Sequence, residues 1–321
     1  MISIQNVMKQ YGQHTALKGI NLEVRKGEIL GFLGPNGAGK TTTMNIITGY
    51  ISATEGTVKI DGVDILENPL EAKKKIGYLP EIPPLYIDMT VDEYLLFVSK
   101  IKKVDKSTRN EQIERILEVV KIKDVRNRII KNLSKGYKQR VGLAQAIMGS
   151  PEVLILDEPT VGLDPKQIIE IRNLITELGK EHTIILSSHI LSEVSAVCDR
   201  VIIINKGEIV AEGTPSELSK KLSYSNKLSL RIKGSGRQAL AIINKISGVE
   251  NVLEQGNNEP DTVDILVEVK KDMDIREVLF NAFSKAELPI LMMKSENLTL
   301  EEVFLEVTGQ KREEVINAND I

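Results

Sequence analysis

The sequence predicts an α/β fold built on a parallel sheet, followed by a smaller α+β domain. Apolar segments at residues 29–33 and 153–156 are typical of buried parallel strands, because both faces of such strands are covered. A glycine-rich loop at residues 34–42 joins the first of them to a helix-like run. Beyond residue 226 the predicted order becomes strand, helix, strand, strand, helix, strand, which is typical of a ferredoxin-like domain.

The glycine-rich loop has the pattern of a phosphate-binding loop, with glycine at its first and sixth positions followed by Lys40 and Thr41. Because glycine has no Cβ, the backbone can wrap around an anion, and the amides and the positive end of the next helix then face it. Lys40 would reach the outer phosphates, and Thr41 would ligate Mg²⁺. The predicted phosphate-binding residues are Gly34, Pro35, Asn36, Gly37, Ala38, Gly39, Lys40, Thr41 and Thr42.

Composition and charge exclude several classes of function. The chain has 321 residues, of which 27% are charged and 41% hydrophobic, and its formal net charge of −3 gives no reason to expect a nucleic-acid partner. No apolar run approaches the roughly 18 residues that cross a bilayer, and the N-terminus lacks the features of a secretory signal. The single cysteine, Cys198, excludes an internal disulfide and fits a reducing compartment. We therefore expect a cytoplasmic protein that reaches a membrane only through a partner.

Two strands are predicted before the loop, at residues 1–7 and 17–24, with Tyr11 in the turn between them. An aromatic ring at this point could stack on an adenine ring, and a half-buried loop tyrosine is the alternative. After the loop and its helix, residues 56–64 are predicted to form a hairpin.

A charged helical stretch at about residues 83–150 is predicted to interrupt the strands of the core. It follows a short strand that ends at Glu81, and it contains helices over residues 91–102 and about 108–120. Ser134 is the expected N-cap of a third helix. Ser134 and Gly136 could also aim backbone amides at an anion, and a plain N-cap is the alternative.

Two carboxylates, Asp157 and Glu158, follow the apolar strand at residues 153–156. They stand at the carboxyl end of a parallel strand, where open α/β sheets bind ligands. Because strand side chains alternate, one carboxylate can hold Mg²⁺ while the other polarises a water. The next apolar strand, at residues 183–186, leads to His189, which could contact a terminal phosphate or serve as a structural histidine.

In this order the motifs resemble those of the ATP-binding subunit of an ATP-binding-cassette (ABC) transporter, over about residues 1–219. The shared motifs are the aromatic loop (Tyr11), Walker A (34–42), the glutamine-type loop (77–81), the signature (133–139), Walker B (153–158), the D-loop (161–164) and the switch histidine (His189). The resemblance implies a P-loop ABC ATPase core with a helical subdomain. It also implies a head-to-tail homodimer that encloses two ATP molecules.

The resemblance further implies a role for each site residue. Within one chain, Tyr11 stacks on adenine, Lys40 and the loop bind the phosphates, Thr41 and (through water) Asp157 bind Mg²⁺, Glu158 polarises the attacking water, and His189 holds the γ-phosphate. Ser134 and Gly136 reach the ATP that is bound to the other subunit. A monomer would therefore hold only half of a site.

Two departures from the family pattern bear on the site. Glu81 stands where glutamine is usual, and it can still accept a hydrogen bond or face the metal while adding a negative charge. The signature has Lys135 and Tyr137 where glycine and glutamine are common. Both variants occur in the branch that resembles the ATPases of type-2 permease exporters, including gliding-motility and drug-export types.

We expect an ATPase domain over residues 1–222, an accessory ferredoxin-like domain over residues 227–310 and a flexible tail at residues 311–321. A capping box at residues 299–302 predicts a last helix. The accessory domain carries no chemical motif. Regulation or dimer contact is one hypothesis for its role, and a stabilising appendage is the other.

The function that the resemblance implies is that of an ATP-hydrolysing motor of an export system. It would act on a separate integral-membrane permease and lie at the inner face of the cell membrane. The alternative is a soluble single-cassette ABC ATPase that is not coupled to transport, such as an iron–sulfur-assembly type.

Overall fold

The computed structural model describes residues 1–222, 226–270 and 273–296. The chain forms two compact units, Met1–Pro215 and Ser216–Ile321, which are described separately below. The predicted last helix and the predicted tail lie outside the described residues, as do residues 223–225, which lie between the two predicted domains.

The first unit alternates strands and helices, as the sequence predicts. Its strands are β1 (Ile2–Tyr11), β2 (His14–Val24), β3 (Ile29–Leu33), β4 (Glu55–Ile60), β5 (Val63–Asp64), β6 (Ile76–Leu79), β7 (Val153–Asp157), β8 (Thr183–Ser188), β9 (Arg200–Asn205) and β10 (Glu208–Gly213). Its helices are α1 (Lys40–Ile47), α2 (Pro69–Lys74), α3 (Val91–Ile101), α4 (Arg109–Val119), α5 (Lys135–Ile147), α6 (Pro165–Gly179) and α7 (Leu191–Val197). A further helix, α8 (Pro215–Leu222), begins at the boundary between the units.

Two sheets form the core of the first unit. A six-stranded sheet has the order β10-β9-β3-β8-β7-β6 and is parallel except for the β9–β10 hairpin. A four-stranded antiparallel sheet has the order β2-β1-β4-β5. Phe32 of β3, Met44 of α1 and Ile60 of β4 belong to one cluster of buried side chains. The core therefore joins the two sheets and the helix that follows the glycine-rich loop.

The sheet order brings the predicted site residues to one edge. Strands β3, β8 and β7 are neighbours and run parallel, so their carboxyl ends lie side by side. The end of β3 leads into the glycine-rich loop at Gly34, β7 ends at Asp157, and β8 ends at Ser188, directly before His189. Ligands bind at this edge in open α/β sheets.

The helical stretch also forms as predicted. Thr90 and Glu93 make the reciprocal hydrogen bonds of a capping box at the start of α3, and the Ser134 side chain caps α5. The α5 helix packs directly against β6 at Gly77, because glycine has no side chain to hold the helix away. A Cβ at this position would lie 2.2 Å from the Ala146 carbonyl oxygen. Arg140 of α5 donates to the Val120 carbonyl oxygen at 2.9 Å and so ties the end of α4 to α5.

The second unit has the predicted ferredoxin-like order. Its described elements are β11 (Asn226–Lys233), α9 (Gly236–Ile243), β12 (Val249–Gly256), β13 (Thr262–Val269), α10 (Arg276–Lys285) and β14 (Ile290–Glu296). The sheet order is β12-β13-β11-β14, with antiparallel pairing throughout. Buried residues of α9 and α10, including Ile243 and Phe283, pack in one cluster with β11 and β13.

The sequence-based prediction differs from the structure at Tyr11 and at three short helices. Tyr11 is the last residue of β1 and pairs with His14, because β1 and β2 continue to a tight turn at Gly12. The predicted longer turn that contains Tyr11 is therefore wrong. The helices α2, α7 and α8 are not predicted from the sequence, because their six, seven and eight residues give too few turns for a clear helical period.

Candidate nucleotide site

A cleft of about 330 Å³ brings most of the predicted one-chain site together. It is lined by Tyr11, His14, Ala16, Pro35, Asn36, Gly37, Gly39, Lys40, Thr41, Thr42, Glu81 and Glu158. The sequence reading missed His14 and Ala16 as lining residues, because only the β1–β2 hairpin brings them beside the loop. Tyr11 is half-exposed, and the Lys9 ammonium lies 5.2 Å from its ring centroid. The Tyr11 side chain therefore lines the cleft and remains partly open to solvent.

The glycines of the loop are needed for two different reasons. At Gly34 a Cβ would lie 2.4 Å from the Ile204 carbonyl oxygen, so only glycine fits against β9. Gly39 has φ of +111° and is the N-cap of α1. Because glycine has no side chain to cap the helix, the backbone N–H groups of the first turn of α1 are left for another acceptor. This turn lines the cleft, as an anion-binding helix end does.

Lys40 is buried and its side chain curls back over the loop. Its Nζ donates to the Gly34 carbonyl oxygen at 2.7 Å and lies 3.5 Å from Glu158 Oε1. The ammonium is therefore held by protein oxygens at the point where phosphate oxygens could replace them.

Glu158 lies between Lys40 and His189. On one side is Lys40, and on the other the His189 Nδ1 lies 2.8 Å from Glu158 Oε2. The residue is buried and has φ of +48°, a strained value for a non-glycine residue, and its N–H donates to the Ser187 carbonyl oxygen at 3.1 Å. The hydrogen bond to Glu158 is the largest cause that raises the pKa of His189.

Asp157 has different partners. Its carboxylate accepts a hydrogen bond from the Ser187 hydroxyl, and the nearby Thr41 side chain also favours the charged form of Asp157. Burial is the largest cause that raises the pKa of Asp157 above its ordinary value. The two adjacent carboxylates therefore lie near different residues of the phosphate-binding loop, Glu158 near Lys40 and Asp157 near Thr41.

The residues around Asp157 fit a magnesium ion that arrives with a nucleotide. The Thr41 hydroxyl and the Asp157 carboxylate line the same groove, and both are hard oxygen ligands. Over residues 1–222, 226–270 and 273–296, no group of three or more His, Cys, Asp or Glu side chains could hold a metal. Mg²⁺ suits so small a ligand set, since it keeps several waters and is usually bound by one or two carboxylates plus substrate phosphates.

Glu81 is exposed and lines the cleft, so the structure places it beside the phosphate-binding loop. It also lines a second, adjoining groove of about 700 Å³ together with Asp157, Tyr78 and Ile82. Its charge contributes to the raised pKa of Asp157, after the larger effects of burial and hydrogen bonding.

The signature residues do not line the cleft of their own chain. Ser134 is exposed at the start of α5, where its Oγ accepts the Tyr137 N–H at 3.4 Å. Gly136 is buried against the end of the Gln167 side chain. The Tyr137 hydroxyl donates to Asp124 at 2.7 Å, so the tyrosine ties α5 to the turn after α4. This contact gives the unusual Tyr137 a structural role.

A glycine-rich loop at the carboxyl end of a central parallel strand, with a buried lysine and two carboxylates, defines a P-loop nucleotide-binding protein. Residues 17–161 match the protein-family model described as ABC transporter. Several curated relatives of at least 30% identity are covered by the chain over more than two thirds of their length. The chain belongs to this family, as an ATP-binding ABC ATPase.

Two relatives illustrate the range of the similarity. The linearmycin resistance ATP-binding protein LnrL of Bacillus subtilis is 33% identical over 319 residues, which cover 97% of this chain and 99% of that protein. The bacitracin transport ATP-binding protein BcrA of Bacillus licheniformis is 40% identical over 223 residues, which cover 69% of this chain and 72% of that protein. The similarity to LnrL thus includes the second unit.

Solved structures match the first part of the chain. A dimeric ATP-binding cassette in a post-hydrolysis state, bound to ADP and Pi, is 27% identical with a TM-score of 0.61 and covers 67% of this chain and 98% of that one. The ATP-binding subunit of an ABC transporter is 27% identical with a TM-score of 0.63, covering 69% and 92%. In the described part of the chain, no helix is long and apolar enough to cross a membrane.

Proposed function

We propose that this protein is the ATP-hydrolysing motor of an export system, in which two copies close head-to-tail around two Mg-ATP and drive a separate membrane permease. The observation that carries the proposal is the Glu158 carboxylate, buried between Lys40 and His189 at the floor of the phosphate-binding cleft. The domain assignment of residues 1–222 as ATPase domain and 227–310 as accessory domain belongs to the same proposal.

The chain would act on ATP by positioning and electrostatics. The loop amides and the Lys40 ammonium bind the phosphates, and the Tyr11 ring supports the adenine. Glu158 accepts a hydrogen bond from the attacking water, while His189 contacts the γ-phosphate and holds Glu158 in place. Thr41 and Asp157, with Glu81 nearby, are the residues that would hold Mg²⁺. When bound, Mg²⁺ would neutralise charge on the phosphates.

The proposal of a dimer rests on the incomplete site of one chain. Ser134 is exposed, lies at a helix N-terminus and is absent from the residues that line the cleft. In a head-to-tail pair, Ser134 and Gly136 of one copy would complete the site of the other. A related cassette has been solved as a dimer with ADP and Pi.

The permease contact is proposed at the groove beside Glu81, within residues 77–94. The groove is lined by Tyr50, Ile82 and Pro84, and Ile82 is 82% exposed. An apolar surface of this kind marks an interaction site. Because Glu81 and Asp157 line the same groove, a partner there would lie against the nucleotide site. Through such a partner, the protein would lie at the inner face of the cell membrane.

Export is supported by what relatives are named for. LnrL is a linearmycin resistance protein, BcrA a bacitracin transport protein, and SrtF of Streptococcus pyogenes, 40% identical over 213 residues, a lantibiotic transport protein. None of these three supports the iron–sulfur-assembly alternative. Purification of the tagged protein from membranes of its native cells, followed by identification of the membrane proteins that co-purify, tests the partner. Failure to recover a membrane protein would contradict the coupling to transport.

Hydrolysis is tested with Glu158→Gln in purified protein. We expect ATP turnover to fall by at least about a hundredfold while ATP binding persists, since the amide keeps the shape of the side chain but cannot accept a proton. Glu177→Gln is the matched control, because Glu177 is exposed on α6 and, among the residues that the structure describes, forms an ion pair with Lys180 alone. Equal turnover in wild type and Glu158→Gln would contradict the proposed role.

A further inference from the structure

One buried acid near the site has no part in the reaction described above. Glu193 lies on α7 and is 5% exposed. Its Oε2 accepts hydrogen bonds from the hydroxyls of Thr160 and Ser188, the latter at 3.3 Å. Over the described residues no lysine or arginine forms an ion pair with it, and its Oε1 is buried without a hydrogen-bond partner.

Burying a carboxylate in this way costs free energy. An unsatisfied buried polar group costs about 1–3 kcal/mol, and more if it is charged. A buried charge without a cationic partner is rarely retained for stability alone, because well-packed apolar residues of similar volume are often as stable. Among the described residues, the hydrogen bonds from these two hydroxyls are therefore the contacts that offset the free energy cost of burying the Glu193 carboxylate.

The two hydroxyls belong to the two catalytic segments. Thr160 lies two residues after Glu158, and Ser188 directly precedes His189. The β7–β8 ladder ends at the Asp157–Ser187 pair, and the last backbone contact beyond it is the Glu158 N–H to the Ser187 carbonyl oxygen. Beyond that point, the Glu193 carboxylate on α7 connects the segment after β7 to the end of β8, through Thr160 and Ser188.

Ser188 is itself fixed at both ends. Its Oγ donates to Glu193 and accepts the Ile190 N–H at 3.0 Å, so the backbone on either side of His189 is held. Thr160 also accepts the Leu163 N–H on its carbonyl oxygen at 3.2 Å, at the turn into the D-loop segment. A displacement of Glu193 would thus reach His189 and the D-loop together.

We propose that Glu193 is a positioning residue for ATP hydrolysis, a buried clamp that holds the Glu158 and His189 segments in register through Thr160 and Ser188. This inference rests on the proposed function of the same site. Glu193 does not touch the reacting atoms in it. Its action is to keep the His189 ring against the Glu158 carboxylate.

The test uses the full-length protein and the variants Glu193→Gln, Glu193→Leu and Thr160→Val. Loss of a hydrogen bond to a charged group corresponds to about tenfold to a hundredfold in rate. We expect Glu193→Leu to lower kcat by that factor with KM for ATP within about threefold. Glu193→Gln should retain more activity than Glu193→Leu, since its amide oxygen still accepts both hydroxyls. The double variant with Thr160→Val should lose no more than Glu193→Leu alone, because the residues act as one unit.

Ser195→Ala is the matched control. Ser195 also lies on α7, but within the described parts of the chain its Oγ bonds to no other residue than Leu191 of the same helix, donating to its carbonyl oxygen at 2.9 Å. Its kcat should equal that of wild type. A Glu193→Leu variant with kcat within twofold of wild type, or additive losses in the double variant, would overturn the clamp. So would a loss of activity that follows a matching loss of ATP binding and thermal stability in all three variants.

A second readout does not depend on turnover, so the clamp and the proposed function can fail separately. The chain has three histidines, and NMR can follow the His189 titration in wild type and variants. The charged groups that face His189 are Glu158, Lys40 and Glu193. Glu193→Leu also removes a negative charge near His189, so the diagnostic variant is Thr160→Val, which keeps that charge. If Thr160→Val releases the ring from Glu158, the pKa of His189 falls toward its ordinary value. An unchanged titration in Thr160→Val would overturn the positioning role even if wild-type protein did not hydrolyse ATP.

Discussion

Gly34 is where the phosphate-binding loop leaves the sheet, and an alanine there tests why the loop begins with glycine. In Gly34→Ala the new methyl would lie 2.4 Å from the Ile204 carbonyl oxygen and 2.8 Å from the Ile204 Cγ2. The carbonyl belongs to β9, which pairs with β3, so it cannot rotate away. Overpacking costs about 1–3 kcal/mol, and a clash with backbone belongs in the upper half of that range.

The assay is thermal unfolding without nucleotide. A loss of about 2–3 kcal/mol lowers the melting temperature of a unit of this size by about 4–12 °C. Gly136→Ala is the control, because its methyl would meet only the end of the flexible Gln167 side chain, at 2.8 Å, and alanine favours the helix by about 1 kcal/mol. Gly136→Ala should melt within about 2 °C of wild type. The reasoning is refuted if Gly34→Ala melts like wild type or if both variants lose equally.

Three further outcomes follow from the contacts of single residues. Because the pKa of His189 is raised, chiefly by Glu158, the pair stabilises the fold below the unfolded histidine pKa and loses this effect as pH rises through the folded value. His189→Ala should remove this pH-dependent part of the free energy of unfolding measured in urea, which is under about 1 kcal/mol because the His189 side chain is exposed. An unchanged pH profile of that free energy would contradict the contribution of the pair. Tyr94→Phe removes the hydroxyl that donates to Gln145 Oε1, and it should lower the free energy of unfolding in urea by about 1 kcal/mol. An unchanged free energy of unfolding would contradict a stabilising role for this hydrogen bond. Asp157→Asn should raise the Mg²⁺ concentration for half-maximal hydrolysis about tenfold or more, and an unaltered magnesium titration would exclude Asp157 from metal binding.

Local chemistry explains what the sequence predicted well. The phosphate-binding loop, the Ser134 N-cap and the apolar strands are each specified within about ten residues, so spacing and residue type suffice. The Ser134 side chain caps α5 as expected, by accepting the Tyr137 N–H. The ferredoxin-like order of strands and helices in the second unit is likewise predicted from local sequence patterns, and the structure confirms it.

Contacts between distant residues explain what the sequence could not predict. The order of the six-stranded sheet places β3 between β8 and β9, although β3 precedes them by about 150 residues or more in the chain, and no local pattern encodes this. His14 becomes a lining residue only when the β1–β2 hairpin reaches the loop. Glu193 reads as an ordinary acid on a short helix until Thr160, 33 residues earlier, is seen to donate to it.

The most direct test of the account is the mass of Glu158→Gln in the presence of ATP and Mg²⁺, measured by light scattering. The account predicts twice the mass of one chain with ATP and the monomer mass without it. A second change, Ser134→Glu, should abolish the dimer by setting a carboxylate against the partner's phosphates. A Glu158→Gln protein that stays monomeric at saturating Mg-ATP, or a pair that forms regardless of Ser134, would contradict a shared site.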